Sequence, residues 1–139
     1  MALFRDSELF QSGKDKTSYR LLTKEGVRIR KSGGETILKV SPSGLACLAR
    51  EAVRDVSFYL RAAHLKKLAV ILNDRKASDN DRFVASALLR NAVISARGIF
   101  PLCQDTGTVI VHAEKGEKIW TGIKDAGALS RGIYQAFQG

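Results

Sequence analysis

The sequence predicts an α+β fold, and three observations predict it. Apolar residues recur at three- and four-residue steps through the middle of the chain, over 41–97. Short β-prone runs lie before and after that stretch. Strands and helices do not alternate regularly, as a parallel sheet would require. At 139 residues and 45% hydrophobic content the chain is long enough for one core, so a single domain over 1–139 is expected. Its parts are short strands and extended chain over 1–40, helices over 41–97, and a loop, a small β-hairpin and a C-terminal helix over 101–139.

Tyr19 to Thr23 and Val27 to Ile29 flank Lys24, Glu25 and Gly26, which reads as a turn between two strands. Thr36 to Val40 is a further strand candidate. Ser41 then Pro42 is a good helix start, because the hydroxyl accepts an orphan amide and proline has none to satisfy. Leu45, Leu48, Ala49, Ala52, Val53, Val56 and Leu60 form the stripe of that helix, with Cys47 just off it as a small residue at the edge of an interface. A second helix spans Ala63 to Leu72, with Leu65, Leu68, Ala69 and Leu72 on one face, and stops at Asn73 and Asp74. Ser78 and Asp81 form a capping pair for a third helix, whose period runs through Phe83, Val84, Ala87, Leu88 and Asn91. Gly98 ends it, and Pro101 forbids its resumption, which forces extended chain where Cys103 stands. Thr108 to Ala113 alternates weakly, and a turn at Glu114 to Gly116 leads into Lys118 to Thr121, giving the hairpin. The last helix begins near Asp125 and is expected to bury Leu129, Ile133, Ala136 and Phe137.

The net charge of +9 raises nucleic-acid binding as a function class. Spacing argues against it: Val27 to Lys31 is the one dense cluster, and the other cations are mixed with acids such as Glu51, Asp55, Asp74 and Asp81. Such a surface suits dicarboxylates or an acidic partner surface. No apolar run approaches the roughly 18 residues a membrane span needs. Two cysteines, Cys47 and Cys103, are too few for a disulfide framework and suit a reducing compartment. The first residues lack an apolar signal core and carry early acids, so the cytoplasm is the expected location.

The run from Pro101 to Thr108 places a thiol, an amide, a carboxylate and a turn-making glycine side by side. Such a set suits a site that holds iron or zinc through sulfur and a polar substrate through oxygen. It also suits a helix-to-strand loop with a buried cysteine and an aspartate bonding local amides.

The segment PLCQDTGTVIV, then EKIWTG and DAGALSRGIYQAF, closely resembles the N-terminal region of the class I, iron-sulfur fumarate hydratases. YRLLTKEG, GETILKVSPSGLACLAREA, LRAAHLKKLAVIL and ASDNDRFVASALLRNA carry the resemblance over nearly the whole chain. It implies a hydro-lyase that reversibly hydrates fumarate to L-malate in the citric acid cycle. Members are several times longer, so the chain is expected to be an N-terminal fragment, inactive in isolation, whose partners are the remainder of the parent polypeptide and a small dicarboxylate. The resemblance implies a 4Fe-4S cluster held by three thiolates, with Cys103 as one ligand and the other two outside this chain. It also implies a homodimer for the full-length enzyme. Gln104, Asp105 and Arg131 match substrate-pocket residues. The resemblance implies that Gln104 hydrogen-bonds a substrate carboxylate, that Asp105 carries or relays a proton at the departing hydroxyl, and that Arg131 clamps a carboxylate through its planar fork. The sequence departs from many relatives after Trp120, Thr121 and Gly122, which bears on the loop before Arg131.

Other classes fit parts of the pattern. L-tartrate dehydratases share CQDTG. Asp105, Thr106 and Gly107 spell the aspartic-protease triplet, though the helical third of the chain ahead of it is the wrong frame. Cys103 with His64 or His112 would make a thiol-protease pair. A non-catalytic folding and interface module is the remaining alternative.

Overall fold

The computed structural model describes residues 20–102, 108–122 and 124–138. Its first element is a hairpin of β1 (Val27–Ser32) and β2 (Glu35–Val40), paired antiparallel from Val27 opposite Val40 to Ser32 opposite Glu35. Gly33 and Gly34 both carry positive φ, +59° and +81°, and make the two-residue turn whose twist matches that of the strands. The third strand, β3 (Ile119–Trp120), lies parallel to β2, with Leu38 opposite Ile119 and Lys39 opposite Trp120.

Three helices follow the hairpin: α1 (Pro42–Phe58), α2 (Ala62–Asn73) and α3 (Asp79–Ser95); α4 (Asp125–Ala136) follows β3. The predicted starts hold. Ser41 Oγ accepts the Gly44 amide at 3.1 Å. At α3, Ser78 Oγ accepts the Asp81 amide at 3.1 Å while the Asp81 carboxylate accepts the Ser78 amide at 2.9 Å, a complete capping box. The class is therefore α+β as expected, with the four helices in the places the periodicity marked.

Neither predicted hairpin forms as drawn. Residues 20–23 are not strand; Arg20 instead reaches α1, pairing with Asp55 at 2.8 Å and Glu51 at 3.3 Å. Residues 108–113 are not strand either, because Ile119 and Trp120 take the free edge of β2, with the Leu38 amide donating to the Lys118 carbonyl at 2.9 Å. The sheet is thus closed by a long-range parallel contact rather than by a second local hairpin.

The core also differs from the predicted stripes. α1 packs on α4, and α2 on α3. In the first pair the buried residues are Gly44, Ala46, Ala49, Ala128 and Gly132, while Leu129, Ile133 and Ala136 are half-buried and Phe137 is 70% exposed. The cause is close approach: a Cβ on Gly132 would collide with the Ala46 carbonyl oxygen and stand 2.9 Å from Ala49 Cβ. Small residues therefore occupy the seam, and larger ones such as Leu48 and Val56 are displaced outward. In the second pair Leu68, Ala85 and Ala92 are buried, and Phe83 faces outward. Cys47 is half-buried beside the α1 seam, as expected for an interface edge. No helix among the described residues is long and apolar enough to cross a membrane.

Candidate functional site

Cys103, Gln104 and Asp105, together with Thr106 and Gly107, lie outside the described residues. The chain on either side of them is described, and it is fixed at both ends. On the approach, α3 ends at Ser95 and Gly98, at φ +76°, donates its amide to the Ser95 carbonyl at 2.8 Å. Pro101 follows with its fixed φ. Leu102 then donates its amide to the Ser57 carbonyl at 2.8 Å, one of the orphan acceptors in the last turn of α1. Its own carbonyl accepts Asn91 Nδ2 of α3 at 2.8 Å. Both backbone groups of Leu102 are thereby satisfied by two different helices.

On the far side, the irregular chain over 108–118 is tied to the start of α4. Lys115 Nζ donates to Asp125 Oδ2 at 2.9 Å and to Thr121 Oγ1 at 3.1 Å, and Thr121 Oγ1 donates to the same carboxylate oxygen at 2.6 Å. Thr121 is buried. The Thr121 hydroxyl, and then the Lys115 ammonium, hold the Asp125 carboxyl below its ordinary value. Asp125 in the first turn of α4 also complements the positive end of the helix.

Arg131 is exposed on α4, one residue before the glycine seated on α1. Among the described residues it has no carboxylate partner, and it does not line the cleft of about 680 Å³ that opens between α1 and α4 beside Pro101. That cleft is lined by Arg54, Ser57, Phe58, Gln135 and Phe137 among others. At its edge, burial pushes Glu51 up, but hydrogen bonds from Arg50 and Arg20 leave its carboxyl below the ordinary value. His64 on α2 and His112 are both exposed, and neither lines this cleft. Among the described residues no three His, Cys, Asp or Glu side chains converge as a metal-binding group.

Two features escaped the sequence. Asn91 reads there as a further position on the apolar period of α3, and its signal was the amide on an otherwise apolar stripe ten residues before the Pro-Leu-Cys run. The Lys115, Thr121 and Asp125 cluster joins residues whose spacing matches no short motif.

A model of the family described as fumarate hydratase (fumerase) matches residues 47–139. Among individual proteins, the anaerobic class I fumarate hydratase of Escherichia coli K12 is 50% identical over 128 residues, which is 92% of this chain and 23% of that protein. The aerobic class I fumarate hydratase of the same strain is 49% identical over the same shares. The mitochondrial fumarate hydratase 1 of Leishmania major is 45% identical over 124 residues, 88% of this chain and 23% of that protein. The chain spans about a quarter of the length of these curated relatives.

Proposed function

Because the chain belongs to the fumarate hydratase family, we propose that it is the N-terminal part of a class I hydro-lyase that interconverts fumarate and L-malate, and that it carries one ligand of an iron-sulfur cluster. The observation that carries this reading is the match itself, which runs at 50% identity over 92% of the chain and whose family model includes the segment holding Cys103. The relatives named above are all fumarate hydratases, which favours fumarate over tartrate as substrate.

The donor set fits one ligand position. Cys103 offers a soft thiolate of the kind that holds iron-sulfur clusters. The chain has two cysteines against the three thiolates a cluster with one open iron needs, and Cys47 is half-buried within α1. Two ligands then come from the remainder of the polypeptide. When bound, such a cluster supplies a Lewis-acidic iron that polarises the carbon–oxygen bond of malate.

Three residues of this chain are proposed to act on the substrate. Gln104 donates its amide to a substrate carboxylate oxygen. Asp105 holds the proton that leaves with, or arrives from, the hydroxyl on the reacting carbon. Arg131 grips the second carboxylate through two parallel N–H donors. The exposure of Arg131 suits a site completed by chain outside this segment, as do the large apolar side chains left in solvent, among them Val56, Phe83, Ile99 and Phe137. Cysteine content suits a reducing, cytoplasmic setting.

Anaerobic reconstitution with iron and sulfide tests the proposal. The full-length protein should gain a stable cluster and hydrate fumarate, and residues 1–139 alone should do neither. Fumarate hydration by a full-length protein that holds no iron would overturn it.

A further inference from the structure

Leu102 is the residue immediately before Cys103, and its carbonyl is held by a side chain, Asn91, from eleven positions earlier in the chain. Its amide is held by the end of α1 through the Ser57 carbonyl. Ser57 is itself fixed, since its hydroxyl donates to the Val53 carbonyl at 2.8 Å. Leu102 and Asn91 are both half-buried, so this hydrogen bond is partly shielded from competing water. Ser95, one turn beyond Asn91 on α3, is fully buried, which shows how closely that end of α3 is covered.

From this geometry we infer that Asn91 is a positioning residue: its carboxamide fixes the peptide that leads into Cys103 and so sets where the ligand sulfur stands. The inference rests on the reading of Cys103 as a cluster ligand. Pro101 fixes one φ, and the two helices hold both polar groups of Leu102. Because the peptide unit is planar, holding the Leu102 carbonyl also orients the peptide bond that follows it. Without the Asn91 donor, the Leu102 carbonyl loses its only side-chain partner among the described residues, and that peptide is free to rotate toward water. Outer partners that orient a metal ligand without touching the metal typically contribute roughly ten- to a hundredfold in metal affinity, and Asn91 acts one residue further back, through the Leu102 carbonyl.

The test uses the full-length enzyme, purified without oxygen, as wild type and as Asn91→Leu, Asn91→Gln and Cys103→Ser. Iron and acid-labile sulfide per chain are measured, then cluster loss in air is followed by electron paramagnetic resonance, alongside the thermal midpoint. Asn91→Leu keeps the branched four-atom outline and removes the donor; it should lose its cluster about tenfold faster than wild type with little change in melting. Asn91→Gln keeps an amide and should recover part of that loss. Wild-type cluster lifetime in Asn91→Leu, or equal lifetimes in the Leu and Gln variants, would overturn the inference. Should Asn91→Leu not accumulate, Asn91→Asp is read in the same way, because it presents a carboxylate oxygen to the Leu102 carbonyl. If Cys103→Ser holds as much iron as wild type, the ligand reading fails, whatever Asn91 does.

Discussion

Arg131 shows how one side chain depends on its neighbour. Gly132 fixes the rotation of α4 against α1, and Arg131 is thereby held on the flank of the helix rather than in the seam. If its fork clamps a substrate carboxylate, Arg131→Lys in the full-length enzyme keeps the charge but loses the paired donors. A charge-assisted hydrogen bond contributes ~1.5–3 kcal/mol, so kcat/KM for fumarate should fall by about ten- to a hundredfold, which steady-state kinetics will measure. Asp125 and Asp81 carry a second residue-scale prediction. Their carboxyls lie below the ordinary value of 3.8, held there first by the hydroxyls of Thr121 and Ser78 respectively. A folded value below the unfolded one stabilises the fold above the unfolded value, and that contribution is lost as pH falls through the lowered one. Melting should therefore be insensitive to these groups at neutral pH and weaken below about pH 4. Thr121→Val should shrink the acid-dependent part of the melting curve, and an unchanged acid limb would remove the role assigned to that hydroxyl.

At the scale of elements, the capping box of α3 and the glycine seam of α4 are the clearest determinants. Ser78→Ala removes an acceptor from the first turn of α3 and should cost about 1 kcal/mol in chemical denaturation. Gly132→Val drives a branched side chain into the Ala46 carbonyl and Ala49; the overpacking should cost about 1–3 kcal/mol, with loss of helical circular dichroism if α4 detaches. These two sites also mark what the sequence made legible. Ser41, Ser78 and Asp81 act through neighbours three residues away, so the helix starts were readable. Gly33 and Gly34 are also a local turn signal, and it is this turn that pairs Val27–Ser32 with Glu35–Val40, in place of the pairing expected across Lys24 to Gly26. The parallel pairing of Ile119 with Leu38 joins residues some eighty positions apart, and no local pattern encodes it. The α1 and α4 seam was misread for a related reason. Periodicity favours large apolar residues, whereas a close crossing selects alanine and glycine. Of the proposed site, Cys103 and Arg131 were legible in the sequence, but not Asn91, whose proposed role follows only from where α3 passes Leu102.

At the scale of the whole molecule, the buried apolar side chains among the described residues are Ile37 and Leu68 together with five alanines, while Phe83, Val56 and Ile110 stand more than 70% exposed. A core of small residues buries little area, and burial near 25 cal/mol per Å² of apolar surface is the main stabilising contribution to a fold. Residues 1–139 alone should therefore melt at a lower temperature than the full-length enzyme and bind a hydrophobic dye that the full-length enzyme excludes; equal melting and no dye binding would contradict the view that other chain covers these faces. The most direct measurement is made on the full-length protein with Cys103→Ser, purified without oxygen, with iron, sulfide and fumarate hydration determined together against wild type. Loss of both cluster and activity in a folded variant is the predicted result, and a variant that keeps its iron and its turnover contradicts the account.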